Sequence, residues 1–198
     1  MSHFQNLLEK RRTIYQLGKN VALSKDEITT LIKKAVNESP SAFHSQSSRI
    51  VILLGDEHTK VWDITEAQLR NIVPADQFEP TKARIDGFRA AFGTILFFED
   101  QNVVKGLQEQ FALYADNFPK WSQESTAIAQ YAVWLLLAEN GIGANIQHYN
   151  PLIDAEVAKE YGIPESWRLH AQMPFGEIVA QADVKTYMDE ADRFKVFG

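Results

Sequence analysis

Residues 126–150 read TAIAQYAVWLLLAENGIGANIQHYN, and the fold turns on them. From Ala127 to Ala138 only Gln130 interrupts an apolar run. A helix with no polar face has to be surrounded by protein or by lipid, and this run is too short to span a membrane. It is expected as the central helix of a soluble core, covered on several sides. Asn140, Gly141 and Gly143 end it, since glycine tolerates the left-handed conformation at a helix terminus. Ala144 to Gln147 reads as a short strand. Asn145, Gln147, His148 and Asn150 then follow directly from this buried element, and polar groups leaving a core need partners. Two readings stand open: a strand edge whose amides satisfy one another, or an edge that faces a ligand.

Working outward, a chain of 198 residues suits one domain, or one domain with an appended arm, and can bury a full core. A net charge of −6 and a pI near 5.4 argue against a nucleic-acid-binding surface, which is normally basic overall. There is no cysteine, which excludes disulfides, thiolate metal sites and a cysteine nucleophile. The opening MSHFQNLLEK carries charge where a secretion signal needs an apolar run. The expected location is the cytoplasm, with neither nucleic acid nor a membrane as partner.

On the N-terminal side, Ser2 with Gln5 and Ser24 with Glu27 form capping boxes that open two helices, the second carrying Ile28, Leu31, Ile32, Ala35 and Val36 at helical spacing. The second must end before Pro40. Ile50–Leu54 and Thr94–Phe98 read as buried strands, with helices around Val61–Val73 and Thr81–Ala91. Asn102 to about Ala115 reads as helix, and Pro119 and Trp121 are expected to break the chain ahead of the central one. Beyond it, Pro151 is expected in the first turn of a helix that Gly162 ends near Tyr161. Leu169–Ile178 reads as the last long strand, kinked at Pro174. At least four strands among seven or so helices make an α/β or α+β layered domain. The tail from Ala180 to Gly198 finishes in RFKVFG, too apolar at its tip to dangle.

Two constellations could carry chemistry. Arg11, Arg12 and Thr13 stand at one end of the chain, Arg193 and Lys195 at the other. Arginine donates paired hydrogen bonds that suit phosphate, and lysine adds a compact charge; each pair reads equally as solvated surface. The loop SPSAFHSQSSR (39–49) and the stretch GIGANIQ (141–147) supply hydroxyls and amides able to bond a heteroaromatic ring or a polyol. No phosphate loop, dinucleotide fingerprint or GxSxG occurs. No metal site is expected.

Together, RRTIYQLG (11–18), SPSAFHSQSSR (39–49), GIGANIQHYNP (141–151) and RFKVFG (193–198) resemble the nitroreductase family of flavoproteins, in particular its small branch similar to the fungal fatty-acid-repression-mutant proteins. The matches come in the family's order across essentially the whole chain. The resemblance implies an α+β fold, layered α/β/α, with a central mixed sheet flanked by helices, residues 1–198 forming one FMN-binding domain. It implies a homodimer whose C-terminal arms, about 180–198, are exchanged between subunits. Arg11, Arg12, Thr13, Arg193 and Lys195 would approach the phosphate and ribityl chain of FMN. Ser39, Ser41, His44 and Gln46 would reach the flavin from the other subunit, and Ala144, Asn145 and Gln147 would lie along its ring. His44 departs from the branch, which more usually has asparagine there. NADH or NADPH would be the electron donor, and a small flat nitroaromatic or quinone the acceptor. The cofactor carries the chemistry, so no catalytic side chain is implied. The alternative is a flavin-binding regulator in stress response or lipid signalling whose turnover is incidental.

Overall fold

The computed structural model describes residues 2–198. Both capping boxes form. Ser2 Oγ accepts from Gln5 N–H and Gln5 Oε1 accepts from Ser2 N–H at the start of α1 (His3–Lys10); Ser24 and Glu27 do the same at the start of α2 (Lys25–Asn37). Between them lies β1 (Leu17–Gly18), and after them β2 (Ser48–Leu54), α3 (Asp56–Arg70), α4 (Glu79–Arg89), β3 (Gly93–Asp100) and α5 (Gln101–Gln110). Next come α6 (Phe118–Glu139), β4 (Gly143–Ala144), α7 (Asp154–Tyr161), β5 (Trp167–Ile178) and α8 (Glu190–Arg193).

The sheet runs β1-β5-β3-β2, with β4 also on β5. Every pair of these strands is antiparallel, and among the described residues the one parallel contact is an isolated bridge from Thr13 to Ala144. The expected mixed character therefore rests on that bridge. Side chains alternate across a strand. Ile95 and Phe97 of β3, with Ala171, Met173 and Phe175 of β5, enter a core with Ile28 and Ile32 of α2 and Val133 and Leu137 of α6. Leu96, Phe98 and Leu169 enter a second core with Val61 and Trp62 of α3, Ile85 and Phe88 of α4, and Val157 of α7. Helices thus cover both faces of an antiparallel sheet, which is why β3 reads as an unbroken apolar run.

Several elements differ from expectation. Helix α6 starts at Phe118, not after Pro119 and Trp121, because proline near a helix N-terminus loses no hydrogen bond. Gln130, the lone polar residue of the run from Ala127 to Ala138, is buried, whereas Ile128 and Tyr131 are 45% and 42% exposed. The central helix is therefore covered on two sides and leaves an apolar face uncovered. The helical segment after Asn102 ends at Gln110 and continues as a 3-10 turn over Ala112–Asn117. Pro151 lies in the turn before α7, which begins three residues later. Pairing passes through Pro174, opposite Thr94; the irregularity in β5 is at His170, between partners of Phe97 and Phe98. Gly162 does close α7, at φ 62°.

Among the described residues, no helix is long and apolar enough to cross a membrane, and no group of His, Asp and Glu could hold a metal ion.

Candidate functional site

Arg11 caps α1, and from there the chain runs extended. Successive side chains on extended backbone point to opposite sides, and the two arginines separate accordingly. The Arg11 guanidinium lies over Trp134 of α6, 4.4 Å from a ring centroid, and 5.8 Å from that of Tyr131. Such stacking holds the cation by its attraction to the aromatic quadrupole. Arg12 Nη2 instead donates to the backbone carbonyl of Asp183 at 2.6 Å. Two buried donors in this cluster have no protein acceptor, Arg11 Nε and Trp134 Nε1.

Thr13 continues into the bridge with Ala144, where Ile14 N–H donates to Ala144 O at 3.0 Å. Asn145, fully buried, donates from Nδ2 to Ile14 O at 2.7 Å and accepts from Gln147 Nε2 at 2.8 Å. Its backbone N–H donates to Pro174 O. The amides after the central helix do satisfy one another, and in doing so they tie the N-terminal segment to the sheet edge. Gln172, which sequence reasoning passed over, organises the same edge: it bridges Gln147 through its backbone and accepts from Tyr149 N–H at 2.7 Å through Oε1. A polar residue inside the apolar run of β5 was the available signal. Burial pushes the neighbouring Tyr149 phenol above its usual range.

The serine loop forms a separate network. Ser39 Oγ donates to Ala35 O at the end of α2, Ser41 Oγ accepts from Gln46 N–H at 2.9 Å, and Ser125 Oγ of α6 accepts from Ala42 N–H at 3.2 Å. His44 Nε2 and Gln46 Nε2 are 3.0 Å apart. Phe43, His44 and Gln46 hold φ of 56°, 52° and 49°. Left-handed backbone is costly for a bulky residue unless its surroundings compel it. The Phe43 ring supplies that compulsion: it packs on Phe111 at 4.8 Å, on Phe118 at 5.2 Å and parallel to Trp121 at 6.1 Å. Arg49 braces the loop from beneath, donating to Gln46 O at 2.6 Å while paired with Asp100 at 3.1 Å. Ser39, Ser41, Gln46, Arg49 and Ser125 line a cleft of about 210 Å³, and Phe43, Trp121 and Ile128 line an apolar one of about 390 Å³.

The structure thus joins Thr13, Ala144, Asn145 and Gln147 in one network, with Arg11 two residues upstream stacked on α6, and Ser39, Ser41, His44 and Gln46 in another. Both rest on α6, through Trp134 and Ser125, nine residues or about 14 Å apart along the axis. Arg193 and Lys195 belong to neither: both are exposed, and the Arg193 guanidinium lies over its own neighbour Phe194.

Residues 8–177 match the nitroreductase family. The chain belongs to that family. Membership makes this nitroreductase an oxidoreductase, and its antiparallel sheet between helical layers is the fold of its solved relatives. It is 37% identical over 183 residues to a protein of Saccharomyces cerevisiae described as putative nitroreductase HBN1, with 91% of each chain covered. The nitroreductase CinD of Lactococcus lactis, solved with nicotinic acid, has 56% identity and a TM-score of 0.92 over 98% of this chain and 100% of its own. A nitroreductase of Desulfitobacterium hafniense solved with bound FMN shares the fold at a TM-score of 0.73 and 16% identity, each chain fully covered.

Proposed function

We propose that this nitroreductase is an FMN-dependent NAD(P)H oxidoreductase that reduces small nitroaromatics or quinones, donor and acceptor using one pocket in turn. The observation carrying the reading is the whole-chain likeness to CinD, which has been solved with nicotinic acid, chloramphenicol and 4-nitrophenol, three small aromatic molecules.

The residues present fit FMN. Arg11 Nε and Trp134 Nε1 are buried donors without acceptors, suited to a ligand rich in oxygen. When bound, FMN supplies the hydride chemistry, which relieves the protein of providing a nucleophile. Arg11 and Thr13 would bind its phosphate and ribityl end, and Gln147 would orient its ring, with the buried Ala144 and Asn145 holding that edge from behind. Arg11 also brings a fixed positive charge to the pocket, which favours negative charge on a ligand there.

The serine-loop cleft, at about 210 Å³, is smaller than the ~300 Å³ at which cofactor pockets usually begin. That supports a homodimer in which Ser39, Ser41, His44 and Gln46 of one copy face Arg11 and the Asn145 network of the other. The uncovered apolar face of α6, with Ile128 and Tyr131, supports the same assembly. In it, residues 1–198 act as one FMN-binding domain whose C-terminal arm, from about 180, crosses to the partner with Arg193 and Lys195.

The test begins with the visible spectrum of protein purified without added cofactor, followed by chromatography of the released chromophore. Stoichiometric FMN and steady-state NADH or NADPH oxidation with 4-nitrophenol or a benzoquinone are expected. Negligible turnover with every acceptor, from protein fully loaded with FMN, refutes the enzyme assignment; failure to bind FMN refutes the site.

A further inference from the structure

Asp183 is where the body of the chain last holds the C-terminal segment. Val179 N–H donates to Gln16 O at 3.0 Å, prolonging the β1–β5 pairing, and Ala182 packs on the cluster of Ile14, Leu17 and Ala91. Arg12 Nη2 then takes the Asp183 carbonyl. Past this point the hydrogen bonds are local, Asp192 N–H to Asp189 O and Phe194 N–H to Glu190 O. Val184, Val196 and Phe197 are 91%, 92% and 90% exposed.

We propose that Arg12 is a positioning residue for the C-terminal arm: it latches the arm's root and thereby aims Arg193 and Lys195, without itself touching the cofactor. Arg11 and Arg12, adjacent in sequence and alike in charge, so divide the work. Arg11 faces Tyr131 and Trp134 of α6, whereas Arg12 faces the tail. A carbonyl is also a natural target for one prong of a guanidinium, since Asp183 O carries no competing partner from the sheet. The fifteen residues from Val184 to Gly198 can reach roughly 50 Å when extended, so freedom at the root spreads over a large volume at the tip. Fixing the root raises the effective concentration of the basic pair at whatever site it serves. The consequence for FMN rests on the proposed function; the latch does not.

The test uses the full chain. Hydrogen exchange read by mass spectrometry is compared for wild type, Arg12→Ala and Arg12→Lys, alongside FMN dissociation constants. Arg12→Ala is expected to speed exchange roughly fivefold at the Val179 amide, which donates to Gln16 O at the root of the arm, through the loss of one partly exposed charged hydrogen bond, with β3 and α6 unchanged. Arg12→Lys, which keeps a donor, restores most of the protection. Arg12→Ala should weaken FMN in the wild-type background and add nothing in Arg193→Ala/Lys195→Ala protein, whereas Arg11→Ala weakens it in both. Unchanged exchange in Arg12→Ala overturns the latch. An equal FMN loss in both backgrounds overturns it too, because Arg12 would then contact the ligand directly. If wild type binds no FMN, the functional reading fails while the exchange measurement still decides the latch.

Discussion

Lowering the pH from 7.5 to 5 should destabilise this protein through His58 alone by about 2 kcal/mol. The side chain is 1% exposed. Its Nε2 is 3.2 Å from the carbonyl of Arg89, which can only accept, so Nε2 carries the hydrogen. Its Nδ1 is 2.9 Å from Thr94 Oγ1, a hydroxyl that already accepts from Trp62 Nε1 at 2.9 Å and so donates to the ring. The network is complete with a neutral imidazole, and a second ring proton would face the Thr94 hydrogen. Burial, with the charges of Lys19 and Arg89 adding to it and the Arg89 carbonyl opposing, lowers the histidine from 6.5 to about 4. Above pH 6.5 the ring is neutral folded or unfolded, and the stability is fully present. Between 6.5 and 4 the unfolded chain binds a proton that the native state refuses, and stability falls by about 1.4 kcal/mol per pH unit. The integrated loss is about 2 kcal/mol at pH 5 and about 3 kcal/mol at its limit. Urea unfolding at pH 7.5, 6 and 5, at fixed protein concentration, would measure it in wild type and in His58→Gln, whose amide can donate to the Arg89 carbonyl without titrating. Glu27, Glu66 and Asp86, whose hydrogen-bond partners lower their pKa values, act at more acid pH and equally in both proteins. The variant should show a flatter slope; a slope equal to that of wild type refutes the reasoning.

Two further outcomes test the links between fold and site. A Cβ on Gly176 would collide with the backbone oxygen of Gly18 and lie 2.8 Å from Phe92 N. Because backbone cannot swing aside, Gly176→Ala should open the β1–β5 pairing, cost roughly 1–3 kcal/mol by urea midpoint and weaken FMN retention; an unchanged midpoint counts against the register. Arg193→Ala with Lys195→Ala should release FMN on gel filtration while leaving the pH dependence of His58 intact. Retention of flavin in that double variant would locate the phosphate elsewhere.

Much of the fold was legible in local pattern. The capping boxes, the aliphatic strands and the left-handed Gly162 depend on neighbours a few residues away, and local chemistry is what a sequence displays. Where expectation failed, the deciding contact was distant or the residue had two uses. Pro119 breaks a helix or begins one, and only the position of Phe118 in the core chose. The apolar circumference of α6 promised complete burial, yet Ile128 and Tyr131 stay exposed, since apolarity states a need for cover without naming what supplies it.

The site divides in the same way. Four spaced segments pointed to the family before any coordinate did. Sequence could not tell Arg11 from Arg12, since the difference between them is the side of an extended strand on which each lies, one over Trp134 and the other at Asp183. Nor could it find Trp134 as the partner of Arg11, or Gln172 as the partner of Gln147 and Tyr149. Composition and local periodicity therefore determined a layered domain of α/β or α+β type, because they report short-range propensity and burial, and the resemblance of four spaced segments added the family. Tertiary structure alone decided which polar groups meet, because their meeting depends on sheet register between segments more than a hundred residues apart.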